Sequence, residues 1–113
     1  MTRTTHPVVD AYAAAINRDD LPALLALFTD DATLVHPAGT FAGADEIRGF
    51  YRDVVLAGRA VVSAGDVLAD GALVMAEIRA TSSLDPDGAT AHAVDVFRLD
   101  EHGRIARLEI YYR

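Results

Sequence analysis

The chain contains no cysteine, which excludes disulfides, thiol catalysis and thiolate metal sites and fits an intracellular setting. Positive charge is scarce: 10 Lys and Arg stand against 17 Asp and Glu, a formal net charge of −7. Nucleic acid and anionic membrane surfaces both require a basic patch, so neither is expected as a partner. An uncharged ligand is left open. No apolar run approaches the length that spans a bilayer, and the opening MTRTTHP has no stretch that would serve as a signal peptide. A cytoplasmic protein is therefore expected. Internal repeats, low-complexity tracts and linkers are missing too. What remains is 113 residues, 51% of them hydrophobic, enough for one core but not for a second lobe. The expectation is a single domain over residues 1–113. No two histidines have metal-ligand spacing, and neither a metal nor a cofactor is expected.

Three helical segments come first. Thr5 or His6 can cap a helix that begins at Pro7, where a missing N–H does no harm, and Val8, Tyr12, Ala15 and Ile16 form its buried stripe. Asn17 to Asp20 ends it and caps a second helix carrying Leu21, Leu24, Leu25 and Phe28 at i, i+3, i+4, i+7. Thr29-Asp30-Asp31 stops that helix. Ala32 to His36 reads as extended, because Pro37 pushes its predecessor out of the helical region. Pro37 to Gly43 reads as a loop. Asp45 and Glu46 favour the first turn of a third helix, with Ile47, Phe50, Tyr51, Val54 and Val55 on its buried side and Gly58 as its stop.

Strands follow. Arg59 to Ala69 and Ala72 to Ser83 flank the hairpin signal Asp70-Gly71, Asp85-Pro86-Asp87-Gly88 makes the next turn, and Glu101-His102-Gly103 the last. In the second strand, placing Ala72, Val74, Ala76, Ile78 and Ala80 inward is preferred, because the other choice buries Glu77 and Arg79. In the final strand Ala106, Leu108, Ile110 and Tyr112 oppose Arg107, Glu109 and Tyr111. Helices followed by four hairpin-connected strands predict an α+β fold.

One residue breaks this pattern. Parity puts Ala91, Ala93, Asp95, Phe97 and Leu99 on one face of their strand, so Asp95 lies among apolar neighbours. A carboxylate there must find a partner, take up a proton or line a cavity. A bulge turning it outward and a structural hydrogen bond are the other solutions. Tyr12 and Tyr51 are each explicable as core tyrosines whose hydroxyls reach partners, and His36, at a strand end, as a surface residue.

The order helix, helix, strand, helix, four-stranded meander resembles the nuclear-transport-factor-like fold, in which a curved antiparallel sheet holds three N-terminal helices in its concave face to make a cone. AYAAAINRDDLPALLALFTDDATLVHPAG is similar to the N-terminal half of ketosteroid isomerase-like and SnoaL-like proteins, FAGADEIRGFY to their third helix, and AVDVFRLDEHGRI to the isomerase pattern around its oxyanion-hole aspartate. Carried over, the resemblance places the oxyanion hole on Tyr12 and Asp95, a phenol and a protonated carboxyl that donate to the enolate oxygen. Tyr51 matches a tyrosine supporting the catalytic phenol, while Phe28 stands where another supporting tyrosine would be. His36 occupies the position of the general base, normally an aspartate. Phe28, Phe50, Phe97, Leu108, Ile110 and Tyr112 are the expected substrate contacts.

Removing a proton beside a carbonyl requires a base on one side and oxyanion donors on the other, and an imidazole near pKa 6.5 is a suitable base. The expectation is therefore an isomerase-like enzyme acting on a small hydrophobic carbonyl compound, with His36 as base and Tyr12 plus Asp95 as donors. A SnoaL-like cyclase or dehydratase and a non-catalytic ligand-binding or dimerisation module are the alternatives. Val94 and Val96 among polar residues on the outer face, and the habit of the resembling families, suggest a homodimer through the sheet.

Overall fold

Helix α1 (Pro7–Asn17) starts where the His6 Nδ1 accepts the Val8 N–H at 3.1 Å, satisfying one of the amides that a helix start leaves free. The computed structural model describes residues 5–85 and 87–113. Met1 to Thr4 of the opening stretch and Pro86 of the expected DPDG turn lie outside the described residues. Val8, Val9, Tyr12, Ala15 and Ile16 form the buried side of α1. Its last residue, Asn17, ties it to the sheet: the side chain donates to Val62 O at 2.9 Å and accepts the Val62 N–H at 2.8 Å.

Asp20 caps α2 (Leu21–Leu25) by accepting the Ala23 N–H at 3.1 Å. The predicted stripe ran on to Phe28, but the helix stops at Leu25 and Phe28 opens strand β1 (Phe28–His36). Tertiary bonding overrides helical spacing here, since Phe28 O accepts from the Arg104 guanidinium at 2.6 Å and Phe28 pairs with Ile105. Thr29, Asp30 and Asp31 belong to an irregular stretch of β1, whose register shifts between Phe28 and Thr33. The expected loop after Pro37 likewise contains a strand, β2 (Gly39–Ala42), folded back on β1 with His36 opposite Gly39.

Helix α3 (Ala44–Phe50) passes directly into a wider π turn over Tyr51–Leu56. Ile47, Phe50 and Tyr51 are buried as the spacing predicts. Val54, in the wider turn and expected to be buried, is 51% exposed.

Strands β3 (Ala60–Asp70), β4 (Leu73–Ser82), β5 (Ala91–Leu99) and β6 (Ile105–Tyr112) form the meander. Asp70 pairs with Leu73, so Gly71 and Ala72 are the loop residues, with Gly71 at φ 59° as the tight hairpin requires. Val74, Ala76 and Ile78 point inward and Met75, Glu77 and Arg79 outward, the arrangement the charges favoured. In β6 a bulge opposite Arg98 and Leu99 brings Ile105 rather than Ala106 into the core. The sheet runs β2-β1-β6-β5-β4-β3, curved and unclosed, and β1 lies parallel to β6 in an otherwise antiparallel set. The α+β cone is thus observed, with α1 seated on β3 and α3 on β1 and β2.

Candidate active site

A cavity of about 260 Å³ opens between α1, the π turn and the concave side of β3 to β6, and Tyr12, His36 and Asp95 all line it. It lies just below the ~300–1,000 Å³ of sites for drug-sized molecules, which suits a small ligand or one that extends past the mouth. The space exists because the inward positions at this end of the sheet are Ala60, Ala80, Ala91 and Ala93, with Ala80 opposite Ala91. That run of small residues at inward parity is the signal in the sequence that would have located the cavity. Ile16, Val54, Val55, Val62 and Ile78 complete most of the apolar wall.

Asp95 is 2% exposed, between Ala76 of β4 and Ile110 of β6. Its Oδ1 is buried and has no hydrogen-bond partner. No bulge turns it away and no structural bond occupies that oxygen. Burial pushes its pKa up to about 7, because a charged carboxylate loses its hydration there without a compensating cation. At neutral pH the group is therefore divided between acid and base forms.

The Tyr12 hydroxyl lies 2.8 Å from that of Tyr51. Burial raises both phenols well above the ordinary tyrosine range, Tyr12 being raised further by the neighbouring Tyr51 and Asp95. Both remain protonated and able to donate. When Tyr12 donates into the cavity, Tyr51 donates to Tyr12. Phe97 packs edge-on to Tyr12 with ring centres 5.4 Å apart, and Phe28 lies 5.9 Å from Tyr51.

His36 sits at the end of β1 with its ring 4.8 Å from Phe50 and 5.3 Å from Tyr112. The Ala38 N–H donates to its Nδ1 at 3.0 Å, and its Nε2 is 3.1 Å from the Tyr112 hydroxyl. Partial burial lowers its pKa. A nitrogen that accepts an amide N–H carries no proton, so the neutral ring holds its hydrogen on Nε2. The lone pair a base would use is directed at the Ala38 amide.

Of the residues expected as substrate contacts, Phe50, Ile110 and Tyr112 line the cavity. Phe28, Phe97 and Leu108 do not: each is buried in the core, and Phe28 and Phe97 buttress Tyr51 and Tyr12 from behind. Among the described residues no group of three or more His, Cys, Asp or Glu could hold a metal ion. No helix among them is long and apolar enough to cross a membrane.

Solved structures similar to this one include a candidate polyketide cyclase from Sinorhizobium meliloti, at 24% identity over 94% of each chain with a TM-score of 0.82. A Mycobacterium tuberculosis protein in complex with estradiol-17β-hemisuccinate is similar at 17% identity, over 94% of this chain and 91% of that one, with a TM-score of 0.80. A computationally designed 17-OHP binder matches at 17% identity, over 94% of this chain and 88% of that one, with a TM-score of 0.78. At these identities the likeness concerns the fold. The sequence model of the SnoaL-like domain matches residues 9–108, nearly the whole of the described fold, and the chain belongs to the SnoaL-like domain family.

Proposed function

We propose that the protein is an enzyme that forms and uses the enolate of a small, uncharged, hydrophobic carbonyl compound, in the manner of a cyclase. The observation that carries this reading is Asp95: buried, unpartnered at Oδ1, and on the same cavity wall system as the Tyr12 phenol. The substrate carbonyl accepts the Tyr12 O–H, which Tyr51 in turn supports. Ionised Asp95 takes a proton from the adjacent carbon, and the electron pair of that C–H bond becomes the enolate. In an intramolecular aldol closure the enolate carbon bonds to a second carbonyl carbon, whose oxygen takes the proton back from Asp95. Nothing is oxidised or reduced, so the step draws on no cofactor. A general acid–base group of this kind typically contributes about 10²–10⁴-fold in rate. The described lining holds no Lys or Arg, in keeping with an uncharged ligand, and the neighbours that bind estradiol-17β-hemisuccinate and 17-OHP support a hydrophobic one.

A second reading keeps Asp95 protonated as a donor beside Tyr12 and gives the base to His36, for migration of a double bond as in ketosteroid isomerase. It is favoured by the position of His36 on the same cavity, and it requires the ring to release Ala38 and move its proton to Nδ1. Two simple substrates separate the readings: heptane-2,6-dione, whose closure gives a hydroxycyclohexanone that becomes a cyclohexenone on loss of water, and cyclohex-3-enone, which rearranges to the conjugated ketone. Both products absorb in the ultraviolet. The first reading expects Asp95→Asn to abolish ring closure and His36→Ala to spare it, with activity rising as pH passes through 7. The second expects double-bond migration that is lost in His36→Ala and survives in Asp95→Asn. If the protein turns over neither compound, nor related carbonyl compounds, while still binding them, it is a ligand-binding module.

We also infer a homodimer through the outer face of the sheet, where Leu68, Met75, Val94 and Tyr111 are exposed and Leu68 pairs with Met75; Val96, expected on this patch, is instead buried. A sedimentation mass of one chain at micromolar concentration removes that inference.

A further inference from the structure

The bonding of His36 fixes more than its own proton. A backbone amide can only donate, so the 3.0 Å contact from Ala38 N makes Nδ1 an acceptor and leaves the hydrogen of the neutral ring on Nε2. That hydrogen faces the Tyr112 hydroxyl at 3.1 Å, so the oxygen of Tyr112 accepts there. The hydroxyl's own proton is then free for a third group. Tyr112 lines the cavity and is 50% exposed at its mouth, and edge-on packing against His36 holds its ring. On β6 it is the next inward position after Ile110, which is the partner of Asp95, and it stands opposite Ala93. Same-face diagonal neighbours across two strands are about 7–8 Å apart.

We propose that Tyr112 is a second hydrogen-bond donor of the site, oriented by His36, and that the ligand is an uncharged compound with two acceptor oxygens: a ketone whose oxygen accepts from Tyr12 while its flanking carbon faces Asp95, and a second oxygen at the mouth. This rests on the reading that a carbonyl occupies the Tyr12 end of the cavity. It narrows the substrate class to dicarbonyl or oxygenated ketone compounds, and it turns His36 from a base into a positioning residue. The two hydroxyl pairs have one logic, Tyr51 directing Tyr12 and His36 directing Tyr112.

The test uses two probes on one skeleton, 2-decalone and decalin-2,6-dione, titrated into the protein by calorimetry or NMR. Wild type is expected to bind the dione about 4- to 20-fold more tightly than the monoketone, about twofold of it because either ketone can take the Tyr12 end and the rest the range of one net neutral hydrogen bond. Tyr112→Phe keeps the ring and removes the donor. It is expected to reduce that preference, read as the ratio of the two affinities, to the statistical factor of about two. His36→Phe keeps the packing on Phe50 but frees the Tyr112 hydroxyl, and is expected to shrink the same ratio of affinities. A wild-type preference no larger than about twofold, or a larger one that survives Tyr112→Phe, overturns the proposal. The supporting reading has its own readout, because 2-decalone binding must weaken in Tyr12→Phe. If the monoketone does not bind, or ignores that substitution, the reading falls and the proposal with it.

Discussion

Replacing Asp95 with Asn is expected to stabilise the protein, and only above a certain pH. Asp95 is 2% exposed with an orphaned oxygen, and burial raises its pKa from the ordinary 3.8 to about 7. Between these values the folded chain holds a proton that the unfolded chain has lost, so the stability tied to this proton is full below pH 4 and declines as pH rises through 7. At ~1.4 kcal/mol per tenfold change in proton binding, the ionised carboxylate costs the folded state on the order of 4 kcal/mol at pH 8. Asn has the shape of the protonated acid and does not titrate. The variant should therefore match wild type near pH 4 and exceed it at pH 8, by roughly 15 °C in midpoint at ~4 °C per kcal/mol for a domain of this size. Thermal unfolding followed by circular dichroism at several pH values measures this directly. All other carboxylates titrate alike in both proteins, so the difference isolates Asp95. Midpoints that differ by a constant amount at every pH would refute the reasoning, since the carboxyl would then have an ordinary pKa.

Three further outcomes follow from the packing. Tyr51→Phe removes the partner of the Tyr12 hydroxyl and should cost about 0.5–1.5 kcal/mol in urea unfolding, with turnover falling while the cavity keeps its shape. Asn17→Ala breaks both bonds to Val62, leaves a β3 amide without that partner, and should cost about 1–3 kcal/mol. Ala80→Leu fills the alanine-lined end of the cavity; it should leave the fold intact by circular dichroism and abolish 2-decalone binding.

Much of the site was legible because strand parity is a strict rule. Asp95 and Phe97 point inward as alternation demanded, and the charges of Glu77 and Arg79 decided the facing of β4. Tyr12 followed from helical spacing. What the sequence hid was non-local. The parallel pairing of β1 with β6 joins residues such as Phe28 and Ile105 that are distant in the chain, and it converts a predicted helix stripe and stop signal into a strand. A four-residue β2 is too short to show alternation. The π turn leaves no mark in the side-chain spacing, and the β6 bulge brings Ile105 rather than Ala106 inward. Phe97 and Leu108, expected on the substrate wall, lie deeper in the core, since parity gives the face and not the depth. His36 was placed on the cavity, but a hydrogen bond from the amide two residues on decides what its ring can do, and no side-chain pattern records that bond.

The central claim is that Asp95 moves a proton at carbon beside a carbonyl held by Tyr12. Hydrogen–deuterium exchange at the carbons flanking the ketone of 2-decalone, followed by NMR in D2O, tests it without assuming a final product. The account predicts exchange faster than in buffer with wild type, loss of that acceleration in Asp95→Asn, and retention of it in His36→Ala. Exchange at the buffer rate, or acceleration that survives Asp95→Asn, contradicts it.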